Sequence, residues 1–153
     1  MKRKARKFMW IAALFAAAQV GAQSSTPLVG AWERVSMSNA QGPVTAKVGA
    51  YIVFSASGHF SQTVAPVDRP KLNKPLGEMT REELLARFQG LGSRFGTYRI
   101  SGNKLVRKNI THVNPADEEE EETWQYRIEG DVMILNPLEG KGEIRFRRLK
   151  PAA

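Results

Sequence analysis

Eight apolar segments of strand length, each closed off by turn residues, recur between Ala31 and Leu149 and restrict this chain to an all-β architecture. They cover residues 31–38, 48–55, 59–64, 95–100, 104–113, 123–128, 132–136 and 142–149. The second shows the type: Tyr51-Ile52-Val53-Phe54 joins aromatic to β-branched side chains, which pack well on a pleated surface. Most connections are short and carry glycine, as in Ser57-Gly58, Ser101-Gly102-Asn103, Glu129-Gly130-Asp131 and Gly140-Lys141-Gly142. Short connections join antiparallel neighbours, so the pattern predicts an up-and-down antiparallel barrel of about eight strands rather than a parallel α/β sheet. One stretch departs from the strand period. Thr80-Arg81-Glu82-Glu83 has the spacing of a capping box, and Leu84, Leu85 and Phe88 share a helical face before Gly90 and Gly92 end it. One short inserted helix is expected there.

Ahead of the barrel lies a segment with the make-up of a secretory signal. Lys2, Arg3, Lys4, Arg6 and Lys7 form a basic head, and residues 8–20 are an apolar run of 13 broken only by Gln19. As a helix that run would span about 20 Å at ~1.5 Å per residue, short of the ~30 Å hydrocarbon core of a bilayer. Val20-Gly21-Ala22 offers the residues a signal peptidase reads, which places the cut after Ala22, with Gln23 or Ser24 as nearby alternatives. Residues 1–22 are therefore expected to be a signal peptide and residues 23–153 one barrel domain, periplasmic or secreted and without a stable membrane anchor. A lipid-modified N-terminus would need a cysteine and the chain has none; no adjacent arginine pair marks the twin-arginine route.

Export changes the electrostatic argument. Of the formal net charge of +8, five positive charges sit in the signal, which leaves the mature chain at about +3. That is an ordinary surface charge, and no basic stripe with interleaved aromatic residues points to nucleic acid. With no cysteine, the fold must be held by its hydrophobic core.

The inventory of reactive residues is small. The chain has two histidines and no cysteine, without the His-x-x-x-His or His-Glu-x-x-His spacing of a metal site, so no metal and no cofactor is expected. No serine lies in a nucleophile elbow and no glycine-rich phosphate loop is present. His59 and His112 are the candidate catalytic residues. Meeting inside the barrel, with Tyr51, Tyr98 or Tyr126 as polarising acid, either would serve as general base in an isomerase or cyclase. The plainer reading, a strand histidine bonded to a neighbour or to water, is preferred. The six acids from Asp117 to Glu122 lack the alternating spacing of a calcium loop and read as a solvated hairpin tip. The stretch Asp68-Arg69-Pro70-Lys71-Leu72-Asn73-Lys74-Pro75 reads as a lid or spacer.

Alternation along the last segment puts Ile144, Phe146 and Arg148 on one face and Glu143, Arg145 and Arg147 on the other, so Arg148 continues an apolar face. Four groups of residues, Leu28 to Ser36 with Gly30-Ala31-Trp32 at their centre, Phe95-Gly96-Thr97-Tyr98, Asn114-Pro115, and Ile144 to Leu149, together resemble the bacterial and fungal lipocalin-like domain family. They span nearly all of the mature chain. The resemblance implies a lipocalin-like β-barrel in which Gly30 allows close backbone approach, Trp32 plugs one end, and a late basic residue packs across the indole. Arg148 is the expected residue, with Arg147 second. The family commonly carries a histidine pair in its fifth strand, where this chain has His112 alone, so any role that needs both is not carried over.

Three function classes follow. The first is a carrier or sensor of one small apolar or amphipathic molecule, since eight strands close a barrel just wide enough to be filled by side chains or to hold one small ligand. Its expected pocket residues are Phe60, Tyr98, His112 and Tyr126. The second is a cofactor-independent enzyme using His112 or His59. In the third the barrel is solid and the helix-bearing loop binds a protein partner in the cell envelope. The first is the leading reading, and an enzyme is not the favoured one.

Overall fold

The computed structural model describes residues 27–45 and 47–151. The expected signal segment, and the boundary at Ala22, lie outside the described residues.

Among the described residues, nine strands form one antiparallel sheet: β1 (Gly30–Asn39), β2 (Gly42–Pro43), β3 (Val48–Phe54), β4 (His59–Pro66), β5 (Gly92–Ser101), β6 (Lys104–His112), β7 (Glu121–Glu129), β8 (Val132–Pro137) and β9 (Glu143–Arg148). Strand β1 closes the sheet on itself. Trp32 stands opposite Ile52 of β3 on one side and opposite Arg148 of β9 on the other. The two-residue β2 only folds back on the end of β1, pairing Pro43 with Ser38, so the wall of the barrel is eight-stranded. Every pairing is antiparallel, as hairpin connections require.

Alternation decides which side chains point inward. On β3, Ala50, Ile52 and Phe54 are buried while Tyr51 and Val53 face solvent. The same rule on the other strands gathers Trp32, Ile52, Phe54, Phe60, Leu105, Met133, Leu135 and Phe146 into one core. Fully burying such a side chain contributes about 1.5–3 kcal/mol. The register puts this core in one half of the barrel, at the end where residues 55–58, 101–103 and 129–131 turn. Leu28 lies beneath it and accepts the indole N–H of Trp32 at 2.9 Å. We refer to this as the closed end and to the other, framed by residues 40–45, 67–91, 113–120 and 138–142, as the open end.

Two strands run longer than their sequence pattern suggests. Pairing of Val64 with Gly92 and of Val48 with Pro66 extends β4 and β5 toward the open end, so Gly92 opens a strand rather than closing the helix. A bulge between Phe95 and Gly96 presses β5 against β6. A Cβ at Gly96 would lie 2.0 Å from the carbonyl oxygen of Lys108 and 2.9 Å from the ring of Phe60, so this position has no room for a side chain.

Helix α1 (Arg81–Phe88) begins with the expected capping box: the Thr80 hydroxyl accepts from the Glu83 N–H at 3.3 Å, and the Glu83 carboxylate accepts from the Thr80 N–H at 2.8 Å. Its apolar residues do not cover the barrel. Leu85 is 62% and Phe88 46% exposed, and the helix is held through Arg87, which donates to the Pro70 carbonyl, and Glu83, paired with Lys74 at 2.6 Å.

Candidate functional site

The interior changes character halfway up the barrel. Along the inward face of β4, Phe60 is followed by Gln62; on β6, Leu105 gives way to Arg107 and Asn109; on β5, Tyr98 and Gly96 lead to Arg94; on β7, Trp124 leads to Glu122. These four strands are consecutive neighbours in the wall, so the polar residues meet in one layer.

Glu122 organises that layer. Its Oε1 lies 2.6 Å from Arg107 Nη2 and 2.7 Å from Arg94 Nη1, so two guanidinium groups converge on one oxygen. The amide oxygen of Gln62 takes the other side, accepting from Arg94 Nε and Nη2 at 3.1 and 2.7 Å and from Arg107 Nη1 at 3.1 Å. Below them, both guanidinium groups lie near the Phe60 ring, with Cζ at 5.8 Å for Arg94 and 5.5 Å for Arg107. Arg107 also lies 5.9 Å from the ring of Trp124. With 2% of its surface exposed, Arg107 has lost nearly all its water. Burial, with the Arg94 charge adding to it, pushes its pKa down to about 10 against the opposing pull of Glu122. Arg34, two residues above Trp32 on the inward face of β1, donates to the Val48 carbonyl, and partial burial lowers its pKa too.

Four buried polar atoms here have no hydrogen-bond partner: Arg107 Nε, Asn109 Oδ1, the indole nitrogen of Trp124, and Glu122 Oε1, which meets the arginines as an ion pair. The layer opens toward the mouth through a recess of about 270 Å³ bordered by Gln62, Val64, Gly92, Ser93, Arg94 and His112. Its size is near the lower end of small-molecule pockets, about 300–1,000 Å³.

The acidic run is a solvated tip only in part: Glu118, Glu119, Glu120 and Glu121 are exposed, while Asp117 and Glu122 at its two ends are half-buried against the barrel. Glu122 points into the barrel, Glu121 pairs with Arg99 on the outside at 3.0 Å, Glu119 with Lys108 at 2.6 Å, and Asp117 lies 3.3 Å from His112. The side-chain amide of Asn109 donates to the Asp117 carbonyl at 2.9 Å, tying the loop to the barrel. Basic partners on β5 and β6 are what draw the acids in.

The expected pocket residues are distributed over the barrel rather than gathered around one space. Phe60 is buried in the core, under the arginine pair. Tyr98 packs edge-on against Phe54 and donates its hydroxyl to the Ser55 carbonyl at 2.8 Å, near the closed end. Tyr126 packs against the same core and borders an outer recess of about 370 Å³ with Pro27, Gly102, Asn103, Arg127 and Ile128. His112 lies at the open end, opposite Arg94. The two histidines do not meet. His59, next to inward-facing Phe60, faces outward, stacks on Phe95 with centroids 5.7 Å apart, and contacts the Ser57 hydroxyl at 3.1 Å. Tyr51 is on the outer face as well, bonded to Glu33 at 3.3 Å. At the closed end, Arg148 lies over Trp32, its Cζ 4.0 Å from the ring centroid, whereas Arg147 turns outward to Glu33 at 3.0 Å. Gly30 adopts φ +136°, and a Cβ there would lie 2.7 Å from Arg148 Nη1.

Comparison of the sequence with family models and with curated proteins finds no match. Among solved structures, a lipocalin-like protein from Bacteroides uniformis ATCC 8492 is similar over 80% of this chain and 98% of its own, at 18% identity and a TM-score of 0.49. An uncharacterized protein from Bacteroides eggerthii DSM 20697 is similar over 80% and 99%, at 15% identity and a TM-score of 0.48. As-p18, an extracellular fatty acid binding protein, is similar over 80% and 96%, at 19% identity and a TM-score of 0.38. The barrel itself stands on the closed strand pairing described above. Among the described residues, no helix is long and apolar enough to cross a membrane, and no three His, Cys, Asp or Glu side chains are grouped to hold a metal ion.

Proposed function

We infer that this is an exported lipocalin-like barrel that binds one small amphipathic molecule in the open half of its interior. One observation carries the reading: the closed half is packed solid with apolar side chains, while the open half buries polar atoms without partners beside a recess that reaches the mouth. Each such unpartnered group costs about 1–3 kcal/mol of stability. A barrel serving only as a scaffold gains nothing from them; a binding site gains donors and acceptors buried in the same layer as Gln62 and Arg94, which border the recess. Export rests on the basic head and apolar run of residues 1–22.

The test is native mass spectrometry on protein purified from its own host's extracytoplasmic fraction, before and after denaturing extraction. A stoichiometric small molecule released on denaturation is expected. A bare protein mass that does not change on soaking with a lipid and metabolite extract would overturn the reading.

A second reading is favoured by α1, whose exposed Leu85 and Phe88 border an open groove of about 620 Å³ with Arg81, Leu84 and Gln89. It makes the helix-bearing segment a contact for a protein partner. That reading predicts that Leu85→Ser and Phe88→Ser abolish a pull-down while ligand occupancy is unchanged.

A further inference from the structure

We propose that the ligand carries an acid group, and that Arg94 and Arg107 receive it in exchange for Glu122. This rests on the binding function proposed above and names the chemistry that the same site recognises.

Charge balance leads to it. Two guanidinium groups face one carboxylate, and the oxygen that completes their coordination, from Gln62, is a neutral amide. The pair therefore holds one more positive than negative charge in a layer where Arg107 is almost fully buried. Arg107 Nε is an additional donor with no partner. A carboxylate fits this vacancy of charge better than a neutral group, because its two oxygens match the fork of a guanidinium.

Glu122 is placed to leave. Its nearest contact to each arginine is through Oε1, it keeps 26% of its side chain exposed, and it lies at the second residue of β7, next to the loop that frames the mouth. The arginines are placed to stay: Gln62 holds both from below the mouth, and the aromatic rings of Phe60 and Trp124 lie beside them. Glu122 thus occupies the position of the guest's acid until the guest arrives, and keeps buried Arg107 and half-buried Arg94 from facing each other uncompensated. The small recess selects a short tail.

Octanoate and octanol, which share a tail and differ in the acid, separate the alternatives, with binding read by the fluorescence of the whole protein and by calorimetry. Octanoate should bind at least tenfold more tightly than octanol. Glu122→Gln removes the resident competitor and should raise the octanoate-to-octanol preference at least a further tenfold. Gln62→Glu supplies a second carboxylate and should bring the preference to near one; it keeps the charges paired, so it carries the test alone if Glu122→Gln does not fold. Equal affinity of the two ligands for the unaltered protein would overturn the acid assignment and leave the binding function standing. An unchanged preference in Gln62→Glu would do the same. Failure of both ligands to bind would overturn it together with the reading on which it rests.

Discussion

Arg148 lies across the indole of Trp32, 4.0 Å from the ring centroid, and its terminal nitrogens donate to the carbonyls of Val29 and Pro27. One side chain thus caps the core, joins the last strand to the first and ties down the chain that enters the barrel. Removing it loses a cation–π contact of about 0.5–2 kcal/mol and charged hydrogen bonds of about 1.5–3 kcal/mol. Arg148→Ala should lower stability by about 2–4 kcal/mol, read from the urea midpoint, with Arg148→Lys falling in between.

Gly96 is a position of space rather than of backbone freedom. A methyl group there meets the Lys108 carbonyl at 2.0 Å, and the bulge leaves neither strand room to retreat. Gly96→Ala should therefore cost about 3 kcal/mol or more. Gly102→Ala is the control: nothing lies within 4 Å, and only its φ of +60° resists, at about 1–2 kcal/mol. The ranking of the two in thermal melts checks the argument.

The arginine layer should respond to partner loss more than to wholesale replacement. Glu122→Gln leaves buried Arg107 and half-buried Arg94 without a counter-charge and should cost about 3–5 kcal/mol, whereas adding Arg107→Met to it should recover at least half of that. Arg107 also gives a pH signature. Its pKa is about 10 in the folded chain and higher once unfolded, so from about pH 10 up to the unfolded value the unfolded chain binds more protons. Stability of the unaltered protein relative to Arg107→Met should then rise as pH climbs through that window, and a fall would show that burial does not disfavour the charge.

Helix α1 depends on its cap because it does not pack on the barrel. Thr80→Ala should cost about 1 kcal/mol locally, seen as loss of helical Cα chemical shifts over 81–88 with the melting of the barrel unaltered. Hydrogen bonding to Lys74, with the Thr80 N–H adding to it, holds the Glu83 carboxyl below its usual pKa. A depressed acid stabilises above its unfolded pKa and ceases to do so as pH falls. The same helical shifts should therefore fade on acidification below about pH 4, and they should not fade in Glu83→Gln, where no proton is taken up.

The all-β barrel with one inserted helix was legible because segments such as Val48–Phe54 alternate cleanly and end at turn residues. The two residues of β2 are too few to leave a period, and Gly92-Ser93 reads as a turn until its pairing with β4 makes it a strand. The arginine layer was hidden for a different reason. Gln62, Arg94 and Arg107 have the polarity of outward-facing residues, and Glu122 ends a run of six acids that composition assigns to a loop. A trace was present in β6, where Leu105, Arg107 and Asn109 share one face. The same parity applied to His59, beside inward-facing Phe60, places it on the outer surface, away from His112.

The wall of this barrel is completed by pairing its first strand with its last, Trp32 with Arg148. In a chain that emerges N-terminus first, the free side of β1 has no neighbour until β9 has followed. Until then the sheet stays unzipped along one seam, and contacts so far apart in sequence form late in folding. The topology itself thus supplies a timer: the wall stays open for as long as the last strand is missing and locks only when β9 arrives.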